Sequence, residues 1–143
     1  NSQGRTLAHY AVANMDIDLL LLIQAMRLNL RLADNQGKTP PFMAIDDDHR
    51  ELFSCMTNHR FQIIDRAAVP ASKKHLYFAL NWNLYSARTY YVKADVSKAD
   101  GSEPRRVWFR VSGAFRTRGE IEHAFNECMQ GCTLTNTKLY RDQ

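Results

Sequence analysis

Cysteine is scarce in this chain of 143 residues: Cys55, Cys128 and Cys132 cannot all pair, and they fall short of a disulfide scaffold. That scarcity favours a reducing compartment, so the expected location is nuclear or cytoplasmic. Long hydrophobic runs are missing too. The longest, Leu19 to Ile23, suits the interior of a helix, whereas a membrane span needs about 20 apolar residues. With six glycines and four prolines the chain has too few of either for a disordered or collagen-like composition. Negative charge is also in short supply. Nineteen basic against fifteen acidic residues leave a net charge of +4. The excess lies after Asp65, at Lys73, Lys74, Arg88, Lys93, Arg105, Arg106, Arg110, Arg116 and Arg118. Such asymmetry suits an anionic partner.

What the chain does contain is an internal repeat. Gly4-Arg5-Thr6 recurs as Gly37-Lys38-Thr39, 33 residues later, with Ala11 matched to Ala44 and Leu19-Leu20 to Leu52-Phe53. Thr6 is placed to cap a helix with Leu7, Tyr10 and Ala11 inward, and a second helix from Asp18 to Met26 carries an apolar stripe at 19, 20, 22 and 23. In the second copy Pro40 sits in the first helical turn, where its missing amide is harmless. Leu52, Phe53, Cys55 and Met56 supply the next stripe, and Leu28 to Asn35 and Phe61 to Asp65 read as extended arms.

These residues resemble the ankyrin repeat, whose consensus reads G-x-T-P-L-H-x-A, then G-H-x-E, then A-D-V-N. Helix pairs and a protein-binding surface are what that resemblance implies. Two such repeats bury little surface alone. Further repeats are therefore expected upstream of Asn1, in a longer parent chain, and the following module is expected to cap the stack.

After Val69-Pro70-Ala71-Ser72 the pattern changes. A short helix is expected from Lys73 to Leu84, with Leu76, Tyr77, Phe78 and Trp82 covering the second repeat. Tyr90 to Val96 and Val107 to Val111 read as strands joined across the turn signal Asp100-Gly101, and Glu120 to Met129 as a helix presenting Ile121, Ala124, Phe125 and Cys128. Trp108 is assigned to the core, because its strand alternates.

From Tyr90-Tyr91 through Val107-Trp108-Phe109-Arg110, Gly113, Ile121 to Phe125, and Thr133 to Asn136 with Tyr140, this order is similar to a WGR domain. Ser112 and Ala114 stand where that family has its naming Trp and Arg, and Phe115 to Gly119 is too short for its extra strand. Ankyrin repeats followed by such a module resemble a tankyrase-type poly(ADP-ribose) polymerase. The resemblance implies a parent that is an NAD-dependent ADP-ribosyltransferase, with NAD as the parent's cofactor and none in this segment. The peptide-binding residues of tankyrase repeats are not carried onto Arg5, Arg31 or Arg66, because Pro41-Phe42 replaces the usual Leu-His.

The expected fold is thus α+β: helix-turn-helix repeats over 1–70, a junction with a cap helix over 71–88, and an α+β module over 89–143. The expected function is non-catalytic recognition or scaffolding, with a protein partner on the helical surface and no membrane. Alternatives are a generic ankyrin scaffold with an unrelated protein-binding cap, and a fragment of a Cys/His enzyme. Arg105, Arg106, Arg110, Arg116 and Arg118, interleaved with Trp108 and Phe115, are the candidate contacts for weak, salt-dependent nucleic-acid binding. Catalytic and metal-ligating residues are not assigned. His9 and His49 read as turn-tightening residues, Asp46-Asp47-Asp48 as solvated turn carboxylates, and Cys128 with Cys132 as buried or half-buried thiols.

Overall fold

The computed structural model describes residues 3–69, 74–76 and 90–141. Helices α1 (Leu7–Ala13) and α2 (Ile17–Ala25) form one pair, and α3 (Pro40–Asp46) and α4 (Arg50–Met56) a second. Each helix of the second pair begins 33 residues after its counterpart. The backbone repeats in the same register. Met15 and Asp48 both take the left-handed conformation in the turns between helices, and Gly4 and Gly37 take it ahead of the caps. Thr6 and Thr39 each accept an amide of the first turn, supplying a partner that the helix start otherwise lacks.

Two residues lock the pairs together through main-chain acceptors. The His9 ring accepts the Thr6 amide at Nδ1, so its Nε2 carries the proton and donates to the Lys38 carbonyl at 2.8 Å. His49 donates from Nδ1 to the Val12 carbonyl at 2.7 Å. At the position equivalent to His9 the second pair has Phe42, fully buried in a different environment. A ring facing polar loop backbone becomes an aromatic ring facing a sheet.

That sheet has the order β1-β4-β3-β5-β2, with every neighbour antiparallel. Its strands are β1 (Phe61–Ile64), β2 (Lys74–Leu76), β3 (Tyr90–Lys98), β4 (Arg105–Val111) and β5 (Cys132–Arg141). A tight turn closes the β3–β4 hairpin: the Asp100 carboxylate accepts both the amide and the hydroxyl of Ser102, and Gly101 takes the positive φ that the turn requires. Asn136 inserts a bulge opposite Ala94, with a positive φ and a side-chain amide donating to Asp95. Helix α5 (Arg118–Cys128) crosses between β4 and β5, started by the Thr117 hydroxyl.

Period-two alternation sorts the strands into two faces. Tyr90, Val92, Ala94, Val96, Val107, Phe109 and Val111 turn inward against Phe42, Phe53 and Phe61 and against Ile121, Ala124 and Phe125 of α5. Tyr91 and Trp108 turn to the other face, where Val69, Ile64 and Tyr140 pack on them.

Several expectations are corrected here. The second helix pair is covered by the sheet and α5, because its trailing arm is itself strand β1 and carries the sheet onto the pair. Lys74–Leu76 is a strand paired with β5 rather than part of a helix. Tyr77, Phe78 and Trp82 lie outside the described residues. Trp108 is buried as expected, but on the face opposite Val107, Phe109 and Val111. Leu7, Tyr10 and Leu22 point outward, and the buried positions of the first pair are Ala8, His9, Ala11, Val12, Leu20 and Ile23. An apolar stripe wider than one interface has only one side occupied.

Candidate functional site

β1 ends at Ile64, where Asp65 turns the chain into a single 3-10 turn at Arg66–Ala68. β4 runs on beyond that point, since Ile64 is opposite Trp108 and Arg105 to Val107 lie past it. An open cleft of about 600 Å³ results. Ile45, Ile63 and Val107 line it on the inner side of the sheet, and Arg66, Lys93, Arg106 and Trp108 on the outer side.

The main chain contributes as well. Ser112 donates its amide to the Arg60 carbonyl at 2.8 Å, and in an antiparallel ladder every second residue makes such bonds toward the same neighbour. Trp108, Arg110 and Ser112 therefore address β1. By the same alternation the amide and carbonyl of Arg106 face the cleft, where no strand among the described residues continues β1.

Charge in the cleft is unbalanced. Arg50 is held between Asp48 and Asp65, at 2.7 and 2.6 Å, so this wall has one carboxylate in excess and supplies no unpaired cation. Arg106 pairs with Asp95 at 3.1 Å, and that carboxylate also accepts from Asn136. Arg66 and Lys93 have no carboxylate partner among the described residues. Both lie over the Trp108 ring, with the Arg66 Cζ 5.0 Å and the Lys93 Nζ 6.0 Å from its centroid. Partial burial, and then the neighbouring Arg106 and Lys138, hold the Lys93 ammonium below its usual range.

The five arginines singled out from the sequence do not form one patch. Arg105 lies on the inner side and pairs with Asp46 at 2.8 Å. Arg106 and Arg110 share the outer face. Arg116 precedes α5, its amide donating to Glu120, and Arg118 pairs with Glu122 one helical turn on. Alternation along β4 separates Arg105 from Arg106, and the turn before α5 carries Arg116 and Arg118 away. Sequence reasoning passed over Arg66 and Lys93 as site residues. The available signal was Lys93 in period-two register with Tyr91 and Asp95, opposite Trp108.

Among the other polar groups, Asp46 is not a solvated turn residue. It is mostly buried and accepts from Lys38 at 2.9 Å as well as from Arg105. The Lys38 hydrogen bond, aided by the Lys38 and Arg105 charges, holds its carboxyl below the usual range. Burial pushes the Cys128 thiol up to about 11, and that of Cys132 upward too, near the Thr39 hydroxyl. Both thiols are protonated at neutral pH, the opposite of what a cysteine nucleophile needs. Compared with protein-family models, with curated proteins and with solved structures, the chain gives no match.

Proposed function

We propose that this chain is a non-catalytic recognition or scaffolding unit: two ankyrin-type repeats fused to a WGR-like sheet module, in a parent resembling a tankyrase-type poly(ADP-ribose) polymerase. The observation that carries the reading is the outer flank of the first helix pair. Leu7, Tyr10 and Leu22 are 51%, 40% and 55% exposed, whereas their counterparts 33 residues later, Pro40, Met43 and Cys55, are buried. Cys55 packs against Ala8, Ala11, Leu20 and Ile23 of the first pair. The positions that are buried on the second pair, where Cys55 docks onto the first, thus recur, in register and apolar, as an exposed flank on the first pair itself. It fits one further helix pair of the same kind, in the same parent chain or in a partner protein.

The WGR-like reading draws support from the order of strand, tight turn, aromatic strand, glycine, helix and closing strand. Ser112 and Ala114 in place of Trp and Arg weigh against recognition of DNA ends. Of the five arginines proposed for nucleic-acid contact, Arg106 and Arg110 remain on one face, so any such contact is weak. The raised thiol pKa values favour recognition over a Cys/His enzyme.

Fusing one consensus 33-residue helix pair ahead of residue 1 tests the flank. A single transition at higher temperature is expected, with the gain lost on Leu22→Lys in the fused chain. Two independent transitions, or an unchanged melting temperature of the native part, would refute the reading.

A further inference from the structure

We infer that the cleft past the end of β1 takes an extended acidic peptide of a partner protein, added as a strand against Arg105–Val107. This names a partner class for the recognition reading and rests on it, but it uses a different surface from the α1/α2 flank.

Three features converge on one ligand. The Arg106 amide and carbonyl face the cleft in line with β1, so an antiparallel segment can exchange two main-chain hydrogen bonds there. The peptide residue opposite Arg106 then has its side chain on the outer face, beside Arg66, Lys93 and Arg106. A carboxylate or phosphorylated side chain at that position meets cations that the fold leaves short of counter-charge. The residues flanking it turn to the inner side, toward Ile45, Ile63 and Val107, where apolar groups fit. The segment read by the cleft therefore alternates acidic with apolar residues. A nucleic-acid strand fits less well. Trp108 is buried beneath Arg66 and offers no free face for base stacking.

The test uses the full chain and an end-blocked, fluorescein-labelled peptide of eight residues alternating Glu and Val, followed by fluorescence anisotropy. Two partners of the probe carry N-methyl groups, one on the Glu amides and one on the Val amides. A peptide alternating Lys and Val and a labelled oligothymidine complete the set. Saturable binding of the Glu–Val peptide is expected, lost on methylating the Glu amides and kept on methylating the Val amides. Arg66→Glu with Lys93→Glu should weaken binding roughly tenfold or more, while Arg118→Ala, away from the cleft, leaves it unchanged. Matching circular dichroism spectra and melting temperatures identify variants that still fold. Equal binding of both methylated peptides, indifference to the charge-reversed pair in a folded variant, or tighter binding of oligothymidine would overturn the inference. The helix-pair fusion reads the other surface, so the two failures are distinguishable.

Discussion

The ring of Phe109, at the middle of β4, lies 5.5 Å from that of Phe53 in α4 and 4.8 Å from that of Phe125 in α5. One side chain thereby joins the second helix pair, the sheet and the helix that crosses it. The helical and β parts therefore share a core, and are expected to unfold together.

Phe109→Ala should therefore destabilise the whole molecule by about 3–5 kcal/mol, the range for emptying a buried aromatic site. Far-ultraviolet circular dichroism and Trp fluorescence should report the same lowered midpoint in urea. A helical transition left in place while the β signal shifts would show two independent domains instead.

Asp46 ties α3 to β4 through Lys38 and Arg105, and its carboxyl is held below the usual range chiefly by the Lys38 hydrogen bond. A depressed folded-state pKa means that the unfolded chain takes up the proton first. The stabilisation is complete above the unfolded carboxylate pKa of about 3.9 and is lost as pH falls through the lower folded value. Asp46→Asn should thus lower stability at pH 7 and flatten the acid limb of the stability profile below about pH 4. Equal slopes of the two profiles in that window, measured by urea titration, would argue that other carboxylates control the limb.

Burial raises the Cys128 thiol to about 11. At pH 8 its thiolate is rare in the folded state, so alkylation by iodoacetamide should be far slower than for the same residue in urea. Peptide mapping by mass spectrometry over a time course measures this directly. Native and unfolded rates that agree would contradict the burial.

Gly131 occupies the turn ahead of β5 with φ of +93°, and a β-carbon there would stand 2.7 Å from the Thr39 Cγ2 and 3.3 Å from the Arg31 carbonyl oxygen. Gly131→Ala adds backbone strain to that overlap and should destabilise by more than about 1 kcal/mol. Thr39→Ser in the same chain removes the methyl that the new β-carbon meets and should recover part of the loss. No recovery would assign the whole effect to the backbone.

Local signals in the sequence were sufficient for the four repeat helices, the β3–β4 hairpin and α5, but not for β2, which was read as part of a helix, or for β5. The 33-residue recurrence, the threonine caps, the Asp100-Gly101 turn and the period-two runs each act over a few neighbouring residues, and each placed its helix or strand within a turn of its position. They also allowed a shared core, since two repeats lack enough surface to fold alone. What they left open is which neighbour each apolar face meets. Phe61 to Ile64 reads as an arm whether or not a strand adds to it, and only pairing with β4 made it the edge that carries the sheet over α4. Leu22 and Leu20 belong to one stripe by spacing, yet Leu20 is buried and Leu22 exposed because one flank of the pair is occupied. The cleft depends on the same long-range event. Arg66 and Lys93 meet over Trp108 because β1 stops at Ile64 while β4 continues, a mismatch of strand ends that no local pattern records. Backbone propensity and capping are short-range and legible in sequence order; burial and charge balance are sums over spatial neighbours, which only the tertiary structure brings together.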